Sequence, residues 1–262
     1  MVNKMQTALI RKELRGVVQS QGFFINYLLL PLIFAVVFPI GAVLLVNFTD
    51  VSEFTELAAI IGINLSTSNM EIELVGMMIN NMMPTFFLMI PSFIVTAMAA
   101  ASFTGEKERR TLETLLYSPM SLRQIFIAKV FASLLVGMIV VVISFIIMTV
   151  SVGGIVWVLM DGLFLPAGWI WLVIIGLVAP AFAFLAIILQ VRISAKAKSS
   201  EEAFQRGGII VLPLVMLLLS QVTGVLIISP FIFAILGLVL LGLAWVLMRL
   251  AFRKFTYEEL LK

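Results

Sequence analysis

Residues 130–191 read VFASLLVGMIVVVISFIIMTVSVGGIVWVLMDGLFLPAGWIWLVIIGLVAPAFAFLAIILQV and contain neither Lys nor Arg. Residues 16–106 and 207–248 also lack both and are mostly apolar. All 17 Lys and Arg residues fall in four windows beside these stretches, at 4–15, 107–129, 192–206 and 249–262. Membrane proteins retain Lys and Arg on the cytoplasmic side, so each of the three stretches must leave the cytoplasm and return. The pattern predicts six transmembrane spans, with both termini in the cytoplasm.

The composition also indicates a membrane protein. Of all residues, 62% are hydrophobic and 12% are charged, against roughly 45–50% and 25% in soluble domains. The net charge is +3, and the basic residues lie at predicted membrane edges rather than in a separate basic domain, so we expect no nucleic-acid partner. The sequence contains no Cys and no His, which excludes disulfides, thiolate metal ligands and the usual proton shuttle.

The predicted fold is an all-α integral membrane protein in which residues 1–262 form one transmembrane domain. Residues 1–22 are predicted to form an amphipathic helix on the inner membrane surface, because Lys4, Arg11 and Arg15 share one side of it. The alternative is a plain N-terminal cap that only satisfies the charge rule. The six spans are expected at about 23–46, 82–103, 125–150, 169–189, 208–228 and 230–249, and the cytoplasmic loops at 104–124 and 190–207.

Several local signals refine this layout. Residues 57–65 are apolar but too short to cross, and are therefore a candidate interfacial or re-entrant helix. Residues 207–248 are just long enough for two spans, or they form one span and a re-entrant pair. Ser-Leu-Arg-Gln at 121–124 and Ser-Ser-Glu-Glu at 199–202 are capping-box patterns that predict helix starts. We expect Lys129 to extend its ammonium to the inner membrane surface.

The most informative local segment is Gly-Glu-Lys-Glu-Arg-Arg-Thr-Leu-Glu-Thr-Leu-Leu at 105–116. In a helix Glu106 would pair with Arg110, and Arg109 with Glu113, at a spacing of four residues. The leucines would form an apolar ridge beside these pairs. Carboxylates, cations and an apolar ridge together favour a docking surface for another protein. A solvated charged turn between two spans is the alternative.

This segment follows the second span and is itself followed by Ser-Pro-Met-Ser-Leu-Arg-Gln-Ile at 118–125 and by Lys129 in the next span. In this arrangement it resembles the permease subunit of type-2 ATP-binding-cassette (ABC) exporters. Three other features agree with the resemblance: Arg-Lys-Glu-Leu-Arg at 11–15, Ser-Ser-Glu-Glu-Ala-Phe at 199–204 before a proline-containing fifth span, and the six-span layout with both ends inside. The resemblance covers essentially the whole chain, and 105–129 is its specific part.

The resemblance implies a permease in the plasma membrane of a prokaryote, working with two copies of a separate ABC ATPase and with a second permease, identical or a paralogue. ATP and Mg²⁺ would bind the ATPase, since this chain has no Gly-x4-Gly-Lys-Ser/Thr phosphate loop and is not itself an enzyme. The resemblance implies three contacts with the ATPase. The coupling helix would comprise Glu106, Glu108, Arg109, Arg110, Thr111, Leu112, Glu113 and Leu116. The N-terminal residues that flank it would be Arg11, Lys12, Glu13 and Arg15, and a smaller second contact would be formed by Glu201 and Glu202.

An uncharged pathway suits a hydrophobic or amphipathic substrate such as a drug, an antimicrobial peptide or a lipid. Phe86, Phe87 and Phe93 are candidate lining residues, or else they face lipid.

The methionines within 70–83 either bind Cu(I) through their thioethers or pack at a helix end as flexible apolar side chains. The alternatives are therefore an ion-exporting ABC permease for sodium or copper, and an ATP-independent secondary transporter or channel. The secondary transporter is disfavoured, because ion-coupled carriers usually keep charged groups in their spans and the spans predicted here hold essentially none. A membrane enzyme is disfavoured, because the chain has no His and no pair of intramembrane Asp residues.

Overall fold

The computed structural model describes residues 4–19, 22, 25, 29–48, 70–108, 119–159, 168–222 and 229–254. Within these ranges the chain consists of helices and short connections, with no strand. The α-helices are interrupted by π-helical turns at Met78–Met82 and Ile174–Val178 and by a 3₁₀ turn at Gly208–Ile210, and residues 25 and 29 are also π-helical. The α-helices are α1 (Lys4–Gln19), α2 (Leu30–Phe48), α3 (Met70–Met77), α4 (Met83–Phe87), α5 (Met89–Glu108), α6 (Leu122–Leu159), α7 (Ile170–Val173), α8 (Ala179–Lys196), α9 (Ser200–Gly207), α10 (Leu212–Val222) and α11 (Pro230–Lys254).

Six helical segments are long and apolar enough to cross a membrane, which confirms the predicted all-α class with six spans. The second and third exceed the predicted spans 82–103 and 125–150, because a helix continues through polar turns at the membrane edge whereas the prediction followed apolar residues only. Residues 23–24, 26–28 and 57–65 lie outside the described residues, and the single-domain organisation stays a prediction. The six segments are Pro31–Phe48, Ile72–Glu108, Arg123–Leu159, Ile170–Lys196, Ser200–Gln221 and Pro230–Leu250.

The ambiguous stretch 207–248 contributes to two separate long helices, Ser200–Gln221 and Pro230–Leu250. This favours two spans over one span and a re-entrant pair. The second of these helices begins at Pro230, whose missing N–H is tolerated at a first helical position. Just before it, the Ser229 hydroxyl accepts a hydrogen bond from the Ile232 N–H at 3.4 Å, so the serine caps the helix.

The π-helical turns at Met78–Met82 and Ile174–Val178 each end two residues before a proline. Pro84 follows the turn at Met78–Met82, and Pro180 follows the turn at Ile174–Val178. A proline in a helix removes one hydrogen bond and presses its ring against the carbonyl four residues earlier. That carbonyl belongs to Asn80 or Gly176, at the middle of the respective turn. The wider turn therefore gives the ring room, and the helix continues through the proline.

The apolar core lies between the second, third and fourth spans. The ring of Phe87 meets Trp171 edge to face, with centroids 5.3 Å apart, and Phe145 likewise at 6.3 Å. Both Phe87 and Trp171 are almost fully buried. Because α8 packs against α5 on one side and α11 on another, the fourth span is the central helix of the described bundle.

The short helix α9 is held against α5 and α8 by close contacts. Ala203 is buried with Ala100 and Ala197, and small side chains allow such a close approach. Gln190 is fully buried, and its Nε2 donates to the Ala203 carbonyl at 2.8 Å. At Gly207 a Cβ would collide with the Gln190 Oε1 and would lie 2.6 Å from the Thr96 Cγ2. Glycine at position 207 is therefore needed for α9 to pack closely against α5 and α8.

The seat of α9 generates a prediction with a neighbouring control. We expect Gly207→Ala to lower the free energy of unfolding by about 1–3 kcal/mol, because the added methyl overpacks the contact with Gln190. Gly208→Ala is the matched control, since a Cβ there meets nothing within 4 Å. Thermal unfolding of both variants in detergent measures the difference. Equal melting temperatures in the two variants would contradict the close contact.

Candidate functional site

A buried group of charges joins three elements at one end of the bundle. The Lys129 Nζ of α6 lies 2.8 Å from the Glu106 Oε2 of α5 and 3.5 Å from the Glu13 Oε1 of α1. The Lys12 Nζ lies 2.9 Å from the Glu106 Oε1. We call Lys12, Glu13, Glu106 and Lys129 the charge cluster. Its two cations and two carboxylates balance, which is the condition for keeping charge inside a low-dielectric interior.

The ammonium of Lys129 has a complete set of partners. Its side chain is 2% exposed, and those of Glu13 and Glu106 are each 10% exposed. Besides the carboxylates, it donates to the Ser102 carbonyl at 2.5 Å and to the Ser102 Oγ at 3.0 Å. The Ser102 hydroxyl in turn donates to the Glu13 Oε2 at 3.0 Å. The ammonium also lies 5.3 Å from the centre of the Phe103 ring, a favourable cation–π distance.

Lys12 connects this buried group to the surface. Its side chain is 60% exposed. Partial burial lowers the pKa of Lys12, but the hydrogen bond to Glu106 and the charges of Glu106 and Glu13 outweigh burial and hold the pKa above its ordinary value. Lys12 therefore remains protonated and attached to Glu106 across the physiological pH range.

One expectation about these residues was wrong. Lys129 does not extend to the membrane surface, because two carboxylates and Ser102 satisfy it inside the bundle. Glu106 contacts Lys12 and Lys129, and its pairing with Arg110 stays a prediction, because Arg110 lies outside the described residues. A signal was present in the sequence: Lys129 stands six residues beyond Arg123 in an otherwise apolar helix. A cation at such a position needs an acidic partner from another helix.

Helix α1 packs along the start of α6, which explains how it reaches the charge cluster. Leu9 is buried against Ile125 and Ala128, and the Gln6 Nε2 donates to the Gln124 carbonyl at 3.4 Å. The start of α6 is itself fixed by the predicted capping box: the Gln124 N–H donates to the Ser121 Oγ at 3.3 Å, and the Ser121 N–H donates to the Gln124 Oε1 at 3.0 Å. Arg11 and Arg15 are exposed on the opposite side of α1.

A second contact links the end of α5 to the start of α9. The Glu108 Oε2 accepts hydrogen bonds from both the N–H and the hydroxyl of Ser200, each at 3.1 Å. A carboxylate at a helix start satisfies otherwise unpaired N–H groups and interacts well with the helix dipole. Glu108, which the resemblance assigned to the coupling helix, is thus engaged within the chain. We call this pair the loop joint.

The predicted capping pattern at 199–202 is confirmed. The Ser199 Oγ accepts from the Glu202 N–H at 3.2 Å. The Glu202 carboxylate accepts from the Lys198 N–H at 2.7 Å and pairs with Arg206 at 2.6 Å. Glu202 is therefore occupied in holding α9, while its neighbour Glu201 is exposed.

The remaining coupling residues fall in 109–118, which lies outside the described residues. They are Arg109, Arg110, Thr111, Leu112, Glu113 and Leu116. Their assignment to an ATPase contact stays a prediction.

The three phenylalanines of the suggested substrate path contact three different neighbours. Phe86 stacks on Phe38 of α2 with centroids 4.1 Å apart. Phe87 is buried in the aromatic core, and Phe93 meets Phe204 of α9 at 5.3 Å. Of the three, Phe87 is covered on all sides by other residues of this chain. The assignment of the three phenylalanines to a substrate path stays a prediction.

The methionines near the N-terminal end of the second span contribute to packing. Met83 is buried, and Met78 is partly buried against the same core. Nearby, the Asn80 Oδ1 accepts from the Gly168 N–H at 2.8 Å and so ties this span to the start of the fourth. Among the described residues no group of three or more His, Cys, Asp or Glu is placed to hold a metal ion.

Comparison with known proteins identifies the family. Residues 7–236 match the family model described as ABC-2 family transporter protein. A search of curated proteins finds no match. The matched range includes most of α1, the charge cluster, the loop joint and part of the sixth span, so it covers most of the chain. Members of this family are membrane permeases of ABC transporters rather than ATPases, and they work with a partner ATPase. The chain therefore belongs to the ABC-2 family of transporter proteins and is the multi-pass membrane permease component of an ABC transporter.

Proposed function

We propose that this permease forms the export pathway of a type-2 ABC exporter in the cell membrane, with both termini in the cytoplasm. The positions of all Lys and Arg support this orientation, because they would lie on the inner side. Two ATPase copies would bind ATP and Mg²⁺, and a second permease, identical or a paralogue, would complete the pathway. The observation that carries the proposal is the charge cluster, which fastens α1 and the start of the first loop to two spans.

The charge cluster suggests how a movement of the ATPase would be passed to the membrane-spanning helices. The proposed docking surface consists of α1 and the loop after Glu108. Because Glu106 binds Lys12 of α1 and Lys129 of α6 at once, a push on this surface would move α1, α5 and α6 together. Rigid-body movement of packed helices is an established way to open a transport pathway.

The loop joint would extend the same movement to the second cytoplasmic loop. Glu108 binds the first turn of α9, and Gln190 of α8 binds the Ala203 carbonyl in its middle. Helix α9 continues through a 3₁₀ turn into α10. A displacement of the first loop would therefore reach the fourth and fifth spans without a separate ATPase contact at Glu202.

The proposed substrate is hydrophobic or amphipathic: a drug, an antimicrobial peptide or a lipid. Within the described spans, charged side chains occur near the ends and in the charge cluster, and the cluster is internally neutral. A permanently charged small ion would find no fixed counter-charge along such a path. An ion-exporting permease for sodium or copper, or a carrier that works without ATP, is the alternative. ATP-dependent transport of a lipophilic dye by reconstituted permease and ATPase distinguishes these possibilities.

The charge cluster predicts a large cost for removing its central cation. We expect Lys129→Met to lower the free energy of unfolding by about 3 kcal/mol or more, because it leaves two carboxylates in a buried site with one exposed lysine. Adding Glu106→Gln should restore part of that loss, since it removes one of the carboxylates. Lys107→Met is the control, as Lys107 is exposed beside the cluster. Chemical unfolding of the purified permease measures all three, and similar losses for Lys107→Met and Lys129→Met would refute the assignment.

The docking proposal predicts that Glu113→Lys weakens association with the ATPase, because it places a like charge beside the cations of the loop and removes a carboxylate. The measurement is the amount of ATPase that co-purifies with tagged permease, together with its hydrolysis rate. Glu53→Lys makes the same charge change on the proposed outer side and should leave both unchanged. Wild-type assembly and transport in Glu113→Lys would rule out this loop as the contact.

The loop joint predicts that the two loops can be tied together without loss of transport. The sequence has no cysteine, so Glu108→Cys with Ser200→Cys introduces one reactive pair. A short bis-maleimide should bridge it, and ATP-driven transport should continue because the joined residues move together. Glu108→Cys treated in the same way is the control. Arrest of transport only in the bridged pair would mean that the loops separate during the cycle.

A further inference from the structure

The fourth and sixth spans run side by side in the same direction. A Cβ at Gly237 of α11 would lie 2.9 Å from the Leu177 Cγ, just before α8. Seven residues further along α11, Ala244 is buried against Leu185 and Ile188 of α8. The two helices advance together, so their C-terminal ends lie at the same end of the bundle.

The face of α8 that packs on α11 continues into two cations. Arg192 follows Leu185 by seven residues and Ile188 by four, and Lys196 follows Arg192 by four. These spacings keep all of them on one face of a helix. The apolar contact with α11 therefore gives way to Arg192 and Lys196 at its membrane edge. Both side chains are exposed.

Helix α11 carries a third cation at the same level, beside the α8 contact. Its Leu247 and Met248 still pack against the α8 contact, and Arg249 is the next residue. The Arg249 guanidinium lies 3.4 Å from the centre of the exposed Trp245 ring, so the ring supports one face of the guanidinium. Tryptophan at this depth is typical of the membrane interface. We call Arg192, Lys196 and Arg249 the basic seam.

The chain supplies no counter-charge to the seam in the part that the structure describes. Neither α8 nor α11 contains an acidic residue. None of the three cations forms an ion pair with a described residue. The contrast is Lys129, which meets two carboxylates. Beside the seam, Val246 and Leu250 are exposed apolar side chains on a membrane-spanning helix.

We propose that the basic seam binds the phosphate of an acidic glycerophospholipid, whose acyl chains lie along the exposed apolar surface of α11. Lipid phosphates lie at the depth of the helix ends, and basic pockets between membrane helices bind acidic headgroups. Arginine offers two parallel N–H donors to a phosphate, and lysine adds a point charge. The proposal needs only that the chain spans a membrane, so it stands apart from the ATPase contacts.

The test compares lipid retention by two triple variants. The first is Arg192→Gln with Lys196→Gln and Arg249→Gln. The control triple changes three exposed cations away from the seam, Lys107, Arg123 and Arg206, to Gln. The full-length permease is purified in detergent, and bound phosphatidylglycerol or phosphatidylcholine is titrated by native mass spectrometry. The variants alter exposed side chains, and gel filtration with tryptophan emission verifies the fold.

We expect phosphatidylglycerol to bind the wild type and the control triple alike, and the seam triple on the order of a hundredfold more weakly, at about fivefold per cation. Phosphatidylcholine should bind all three weakly. Equal phosphatidylglycerol affinity in the seam triple and the wild type would overturn the site. An equal loss of phosphatidylglycerol affinity in both triples would show a general effect of net charge, and would also overturn the site. A third arm adds inorganic phosphate at millimolar concentration: displacement of the lipid through the same residues would assign the seam to free phosphate instead.

Discussion

The inner architecture depends on one buried ammonium group. The side chain of Lys129 is buried inside the bundle, where Glu106, Glu13 and Ser102 surround it. A buried ion pair that loses one partner becomes strongly unfavourable. These partners come from α1 and α5, so the N-terminal helix and the second and third spans must assemble together. Helix α1 is therefore a part of the bundle.

The two halves of the bundle are joined by different kinds of contact. At the charged end, ionic and hydrogen-bonded contacts connect residues far apart in sequence, as between Glu106 and Lys12 or Glu108 and Ser200. Toward the other end, aromatic rings and π-helical turns dominate. Directional contacts specify one arrangement, whereas wide turns leave backbone carbonyls less tightly bonded. The charged end is thus suited to passing on a displacement, and the turns before Pro84 and Pro180 are the places where a span can bend.

The sequence predicted the spans well because charge placement and apolar length are local properties. The capping boxes at 121–124 and 199–202 were also local, and the hydrogen bonds of Ser121 and Ser199 confirm them. The partners of Glu106 and Glu108 were missed for the opposite reason. The four-residue rule selects a neighbour on the same helix, but the observed partners are 94 and 92 residues away in the chain. Only the packing of α1, α6 and α9 around α5 brings them together.

The length of α6 has a consequence for how this permease meets its lipid. From Lys129 to Leu159 the helix rises about 45 Å, while the hydrocarbon layer is about 30 Å thick. Even at a tilt of about 40°, the upper end of the usual range, the rise along the membrane normal is roughly 34 Å. With Lys129 at one edge of the hydrocarbon, the far end would emerge on the other side. Val152 and Val156 there are buried, whereas Trp157 and Val158 are exposed. A helix longer than the hydrocarbon layer tilts or locally thickens the bilayer at a modest cost in free energy, so the length of α6 ties the conformation of the permease to the thickness of its membrane.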